Sequence, residues 1–434
     1  MSRRLATAAA VAALGLAVAA PAPAVTVETP YCVRQAEPEV GLTEVGREQP
    51  TERVLSLRLD SEAMARVMDA RVLLPAGYDP TKRYPVLYLF HGSLGQEEDW
   101  LELGDAERIV GDRELIIVMA DGGRASSFSD WYGTVAGEET TPQNWESFHV
   151  DELVPYVDAT FPTIADPSAR FIAGLSSGGH GAFKYAAQNP GLYGAAGEFS
   201  GAVDTTISYP VYPAASQAVW LITLDPANGP LAHCTWGDFV AQQVVWRDNN
   251  PTYVAENLEG THLYLTSGDG NPGELDGEGA SFDVVEWTTY QMNQALKIAL
   301  DAEGVPYTSD FYGAGTHTWP YWKRDLQRFL AWLDPKVGQP VEAPTAFDVR
   351  SAREEFSAWG WQFKAQRDTR EFVYLDEVFE GGLTATGSGT LEVTTPTGCQ
   401  FTVDLGPSHQ AQQLVFGDGE TNGWTTKQVE IACE

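Results

Sequence analysis

The sequence predicts an α/β fold, a mostly parallel sheet wound on both faces, followed by a small β-rich domain at the C-terminal end. Three observations carry this. Short apolar runs alternate with helical stretches from about Arg53 to Asp334. One of those runs leads straight through a Gly-x-Ser-x-Gly motif into a helical pattern. Beyond Asp334 the helical periodicity stops and short alternating segments replace it. Strands alternating with helices give a parallel sheet because each crossover helix must return along one face of it.

The elements follow in order. Pro85–Phe90 and Leu115–Ala120 are apolar throughout and read as buried strands. Val150, Leu153, Val154 and Val157 recur at helical spacing in a segment ending near Thr160. Arg170–Leu175 reads as a strand and Gly178–Gln188 as a helix stopped by Asn189-Pro190. His262–Thr266 is a strand, Phe282–Ala302 a helix and Tyr307–Tyr312 the last strand of the series. Trp322, Leu326, Phe329, Leu330 and Leu333 mark a final amphipathic helix. Residues 335–345 hold Pro335, Gly338, Pro340 and Pro344 and read as a linker. Past it, 381–395 reads as strand, turn, strand.

The start of the chain reads as a targeting segment, residues 1–24. Arg3 and Arg4 precede an Ala-rich apolar run, and Ala22-Pro-Ala24 is a small-residue cleavage site. A polar arm over 25–50 is expected next, then one large domain over 51–334 and an accessory domain over 346–434. Loss of Arg3 and Arg4 takes the formal net charge from −33 to −35. A surface that acidic repels nucleic acid, so no nucleic-acid partner is expected. No later stretch is long and apolar enough for an integral membrane segment. A secreted protein, extracellular or held at the cell envelope, is the expectation. The four cysteines, Cys32, Cys234, Cys399 and Cys433, then suggest disulfides. Proximity in sequence pairs Cys399 with Cys433, which leaves Cys32 with Cys234.

Gly174-Leu-Ser-Ser-Gly178 lies between an apolar strand and a helix. There a tight turn lifts a serine hydroxyl above the sheet, as in the α/β-hydrolase fold, and Ser176 is the candidate nucleophile. The amide of Ser177 then points at the reacting carbonyl. A serine hydroxyl needs a base to take its proton. His317, in a glycine-loosened loop after the last strand, is placed for that role; His180, His233 and His262 are not. The acid is less defined. Asp269, Glu274, Asp276, Glu278, Asp283 and Glu286 all follow the strand at 262–266, and Asp269 lies nearest its end. His91-Gly-Ser-Leu94 follows an earlier strand, and the Ser93 amide is the second candidate oxyanion donor. His91, Leu94 and Trp319 are candidates for contact with substrate, His91 being the more structural of the three. Nothing in this chemistry requires a metal or cofactor.

Six stretches together resemble the actinobacterial antigen 85, or mycolyltransferase-like, esterase family. They are Ser127-Phe-Ser-Asp-Trp-Tyr132, Trp145-Glu-Ser-Phe148, Gly174–Gly178, Trp236-Gly237, Ser267-Gly-Asp-Gly-Asn-Pro272 and Gly315-Thr-His-Thr-Trp-Pro-Tyr-Trp322. The resemblance implies an α/β-hydrolase fold, a Ser/Glu/His triad and acyl-ester substrates, among them glycolipids or cell-envelope lipids. It moves the acid to Glu286, some thirty residues before the histidine, with Asp269 second. The chain also departs from the family. The acidic and basic side chains of the family's sugar-contacting oxyanion loop are missing from His91–Leu94, and Ser267 stands where the family has a cysteine. The expectation is a serine esterase or acyltransferase working through an acyl-enzyme on Ser176. The rival is an envelope- or matrix-binding protein that keeps the fold without the activity. Trp359, Trp361 and Trp424 raise a polymer-binding role for the C-terminal domain.

Overall fold

The computed structural model describes residues 32–34, 38–124, 126–135, 142–206, 234–237, 242–367, 370–407 and 424–431. The strands of the first part are β1 (Cys32–Arg34), β2 (Leu42–Glu48), β3 (Val54–Ser61), β4 (Arg66–Leu73), β5 (Val86–Phe90), β6 (Ile116–Ala120), β7 (Gly133–Val135), β8 (Arg170–Leu175), β9 (Ala195–Phe199), β10 (His262–Ser267) and β11 (Tyr307–Phe311). The helices are α1 (Asp99–Glu102), α2 (Ala106–Val110), α3 (Val154–Thr160), α4 (Ser177–Gln188), α5 (Gln243–Asp248), α6 (Val284–Glu303) and α7 (Trp319–Leu333). Among the described residues nine strands form one sheet, in the order β11-β10-β9-β8-β5-β6-β4-β3-β2. The pairs from β11 to β6 are parallel. The three pairs that close the other edge are antiparallel.

Two apolar layers cover the sheet, and alternation along single strands assigns residues to each. Tyr88 and Phe90 face Val154, Val157, Phe183, Met292 and Leu296, on the side of α3, α4 and α6. Leu87 and Leu89 face Ile109, Leu326, Phe329 and Leu330, on the side of α2 and α7. β5, β6 and β8 are therefore buried at every residue, which is why their sequences are apolar runs and not alternating ones.

Two parts of the sheet side differ from the sequence expectation. Leu42–Glu48, expected in a polar arm, is the edge strand β2. Its half-exposed pattern is that of a strand with one neighbour and one covered face. The helical segment before Thr160 is also irregular. Ser147–Leu153 forms wide π-type turns before α3 begins. Pro155 in the first turn of α3 has no N–H to give to the carbonyl four residues back, and its ring crowds that carbonyl.

The C-terminal part contains β12 (Phe347–Ser351), β13 (Glu355–Ala358), β14 (Trp361–Gln366), β15 (Val373–Phe379), β16 (Gly382–Gly387), β17 (Gly389–Thr394), β18 (Gln400–Gly406) and β19 (Thr425–Glu430). They form two antiparallel sheets, β12-β15-β16-β19 and β13-β14-β17-β18. Phe347, Leu375 and Leu383 of one pack with Phe363, Leu391 and Val403 of the other in a single core. β16 and β17 do not pair with each other. The turn between them carries the chain from one sheet to the other. Gly389 permits this crossing with φ at 79°, where a Cβ would lie 2.3 Å from the Gln366 carbonyl oxygen.

This sandwich rests on the far end of α4. Trp359 N donates to Pro190 O (2.9 Å). Its ring lies over Gly191 and Gly260, where Cβ atoms would come within 2.9 and 2.5 Å of it. Asn257 exchanges two hydrogen bonds with the backbone of Arg350, both 2.9 Å. Trp361 is buried in the sandwich core, parallel to Phe363. Trp424 packs against Tyr374 at 5.5 Å. The three tryptophans considered for polymer binding are thus taken up by core and junction and do not form an exposed platform. Cys234 and Cys399 carry no free thiol. Each expected pair includes a side chain outside the described residues, as do the targeting segment and His233.

Candidate active site

The turn between β8 and α4 holds Ser176 at φ 54° and ψ −120°, a conformation that L residues rarely adopt. Close packing enforces it. A Cβ on Gly174 would sit 2.4 Å from the carbonyl carbon of Gly178, and one on Gly178 would sit 2.3 Å from the His91 carbonyl oxygen. The motif's two glycines are therefore the places where strand, helix and the loop after β5 touch.

Ser176 Oγ lies 2.9 Å from His317 Nε2, and His317 Nδ1 lies 2.7 Å from Glu286 Oε2. The histidine comes from the loop between β11 and α7, the glutamate from the first turn of α6. His317 is 12% exposed and Glu286 is fully buried. Glu286 Oε1 accepts three more hydrogen bonds, from Ser200 Oγ (2.8 Å), Ser267 Oγ (3.1 Å) and Gly268 N (2.6 Å). Four donors thus converge on one carboxylate. Its Oε2 fixes the orientation of the His317 ring through Nδ1 and leaves Nε2 facing the serine hydroxyl.

Two further carboxylates fix the histidine loop. Asp283 Oδ1 caps α6 through Val285 N and Glu286 N, and its Oδ2 accepts the backbone N–H of His317 (2.9 Å). Asp276 accepts Thr316 Oγ1 (2.5 Å), Tyr321 O–H (2.8 Å) and Gly273 N (2.7 Å). Both lie in the run of acidic residues that the sequence suggests is mainly solvated loop. Asp269, the other candidate acid, binds Asn271 N (2.9 Å) in an exposed turn and makes no bond to His317. Ser200 gives no sequence signal, because its approach to Glu286 depends on a left-handed backbone (φ 51°) at the end of β9.

The candidate oxyanion donors flank the serine. Ser177 N is the first amide of α4 and has no carbonyl one turn earlier to bond. In the loop after β5, Leu94 N donates to Arg124 O and Gly95 N to Gly92 O. Among the described residues no carbonyl accepts the Ser93 amide. Gly92 brings that loop against the elbow, since a Cβ there would lie 3.1 Å from Ser176 Cβ. Leu94 is half exposed on the same loop. Trp319 is half buried, edge-on to Trp100 and to Trp322 (5.3 Å each), and Trp322 meets the His317 ring edge-on at 4.9 Å.

His91 does not reach the site as a substrate contact. It is 1% exposed, its Nδ1 lies 2.8 Å from Gly92 O and its Nε2 accepts Gly122 N at 2.8 Å. Burial holds it below the ordinary histidine range, so it is a neutral post under the loop. His180 is also fully buried, and burial pushes it down to about 3. His262 is exposed at the opposite end of β10.

Comparison with known proteins gives a consistent picture. A family model described as "Putative esterase" matches residues 61–333. Esterase Rv1288 of Mycobacterium tuberculosis is 39% identical over 165 residues, 37% of this chain and 35% of that protein; the chain thus spans about a third of that relative. Diacylglycerol acyltransferase/mycolyltransferase Ag85B of Mycobacterium leprae is 30% identical over 287 residues, 63% of this chain and 83% of that one. The crystal structure of Mycobacterium tuberculosis MPT51 (FbpC1) superposes with a TM-score of 0.52 at 18% identity, covering 69% of this chain and all of that one. This last likeness is one of fold.

Proposed function

The chain belongs to the esterase family that includes the antigen 85 acyltransferases, and from that premise we propose that it is a serine esterase or acyltransferase. The observation that supports this reading is the continuous hydrogen-bond chain from Ser176 Oγ through His317 to Glu286, at 2.9 and 2.7 Å.

In the proposed reaction Ser176 Oγ bonds to the ester carbonyl carbon as its proton passes to His317 Nε2. The negative charge that develops on the carbonyl oxygen is taken by the N–H groups of Ser93 and Ser177. The C–O bond to the alcohol then breaks, and His317 returns the proton to the departing oxygen. Water or a second alcohol attacks the acyl-enzyme, giving its own proton to His317, and Ser176 is released with its proton restored. Glu286 keeps the imidazole oriented and stabilises it while charged. Hydrolysis and transfer differ only in that last nucleophile. Leu94 and Trp319 are the proposed substrate contacts at the mouth.

The proposed substrate is an acyl ester, including esters of glycolipid or envelope-lipid type. The proposed setting is extracellular or at the envelope, with residues 1–24 removed and Cys32–Cys234 and Cys399–Cys433 joined. The test is turnover of p-nitrophenyl esters from acetate to palmitate, with and without a diacylglycerol or sugar acceptor. Burst release followed by mass addition of the acyl group on Ser176 supports the reading. An acylated acceptor identifies a transferase, and free acid alone an esterase. An inert protein on every ester favours the non-catalytic binding role.

A further inference from the structure

Two histidines are buried behind the loop after β5, and their partners fix where each carries its proton. His149 Nε2 lies 2.9 Å from Asp121 O, a carbonyl that can only accept. That nitrogen therefore carries the proton, and Nδ1, 3.0 Å from the Tyr185 hydroxyl oxygen, accepts the phenol O–H. His91 is the reverse case. Gly122 N can only donate, so His91 Nε2, at 2.8 Å from it, is the bare nitrogen. His91 Nδ1 then holds the proton and donates it to Gly92 O, also at 2.8 Å. A second proton on either ring is disfavoured by burial, which pushes His149 down to about 3 and holds His91 below the ordinary histidine range against Asp121, Asp99 and Glu98.

Peptide units join these bonds into one chain. Asp121 O and Gly122 N belong to the same peptide, and so do Gly92 O and Ser93 N. In a trans peptide the C=O and N–H point in opposite directions, and among the described residues no peptide bond is cis. Each unit thus accepts on one side and donates on the other. The chain runs from the Tyr185 O–H through His149, the 121–122 peptide and His91 to the 92–93 peptide, with every donor facing the same way. It ends on the Ser93 N–H, which no carbonyl among the described residues accepts. Hydrogen bonds aligned in this manner polarise one another, which strengthens the last donor.

The base of the chain is firm. Tyr185 lies on α4, and Tyr185, His149 and His91 are each no more than 1% exposed. The 121–124 loop is held by Ser126 Oγ on Gly122 O, by Gly123 N on Asp121 Oδ1 (2.8 Å) and by Asp121 N on Asp69 O (2.9 Å). It supports the loop after β5 a second time, where Leu94 N donates to Arg124 O (2.7 Å). Two donors hold the Gly92 carbonyl, and the His91 imidazole at 2.8 Å is closer than Gly95 N at 3.1 Å.

We propose that Tyr185, His149 and His91 are positioning residues for the oxyanion, their hydrogen-bond chain setting the direction and polarity of the Ser93 amide. His91 is the member that matters most, because its Nδ1–H grips the carbonyl of the very peptide whose N–H receives the charge. The proposal rests on the triad reading given above.

The test uses two variants that separate the contacts of His91. Asparagine can place its amide nitrogen where Nδ1 stands, and glutamine its amide oxygen near Nε2. His91→Asn thus keeps the donor to Gly92 O, and His91→Gln keeps only the acceptor for Gly122 N. The readouts are p-nitrophenyl butyrate kinetics and inhibition by an alkyl trifluoromethyl ketone, which adds to the serine as an oxyanion. His91→Gln lowers kcat at least about tenfold with KM held within about twofold, and weakens the ketone by a similar factor. His91→Asn recovers most of both losses. In wild type labelled with nitrogen-15 histidine, NMR at about pH 7 shows His149 protonated at Nε2 and His91 at Nδ1.

Equal impairment of the Asn and Gln variants, a Gln variant with wild-type kcat, or either histidine in the other tautomer overturns the proposal. If His91→Gln fails to fold, the tautomers read in wild type decide alone. A wild type inert on every ester refutes the triad reading, and the proposal falls with it. An active wild type with an unimpaired Gln variant refutes the proposal alone.

Discussion

Two buried charge clusters touch α4, one at each end, and they are built on different rules. At the N-terminal end, Glu286 receives hydrogen bonds from two hydroxyls, one amide and an imidazole, with no lysine or arginine among them. Farther along, Glu146 meets two full cations, Lys184 of α4 at 2.6 Å and Arg353 of the sandwich at 2.5 Å. Asp248 nearby takes Arg370 at 3.1 Å and the amide of Ala352. The first arrangement orients the histidine between serine and carboxylate. The second fixes charge for good: burial would raise the Glu146 carboxyl, but Arg353 and Lys184 outweigh it and hold it at about 2. A polar cluster supplied by neutral donors is suited to chemistry, and one supplied by permanent cations is suited to joining two bodies.

The comparison can be broken at either end. Ser176→Ala should lower turnover about 10⁶-fold without loss of fold, read by ester hydrolysis and circular dichroism. Glu286→Gln should lower kcat about 10⁴-fold, because an amide cannot keep the Nδ1 proton in place, while ester binding persists. At the other cluster, Glu146→Gln strands the buried Lys184 and the half-buried Arg353 and should cost about 3 kcal/mol of stability by denaturant melting, with kcat little changed. The same ion pairs give the acid limb of stability. Their contribution is full above an ordinary glutamate's pKa and is lost as pH falls toward 2, about 3 kcal/mol in all, read from melts between pH 6 and 2. Trp359→Ala, which removes a half-buried ring from its seat on Gly191 and Gly260, should cost about 2 kcal/mol.

The two ends of α4 are unequally legible in the sequence. The buried strands β5, β6 and β8 are apolar runs, and the motif at 174–178 sits between strand and helix, so nucleophile and sheet were legible from pattern. His317 followed from chain order. The residues alone do not single out Glu286, since Asp269 lies nearer the strand; only the family resemblance points to it. What stayed hidden depends on contacts between segments distant in sequence. Asp276 and Asp283 look like solvated loop until the histidine loop closes on them. Ser200 needs its left-handed backbone to face Glu286. β2 reads as an arm in the sequence because an edge strand carries polar residues. The Glu146–Lys184–Arg353 group spans more than two hundred residues, and no local pattern announces it.

The seat of Trp359 bears on how related sequences can be sorted. The sheet domain meets the sandwich with two bare glycines and two carboxylates, Glu146 and Asp248, that draw cations from beyond residue 350. A shorter chain ending after α7 would leave an empty groove at 191 and 260 and an unanswered anion at 248. Chains without the extra module should therefore carry a neutral residue in place of Asp248, whereas Gly191 and Gly260, with φ at 88° and 80°, stay glycine for their backbone alone. Position 248 alone, inside the sheet domain, would then tell, before any C-terminal sequence is read, whether a cation from beyond residue 350 answers it.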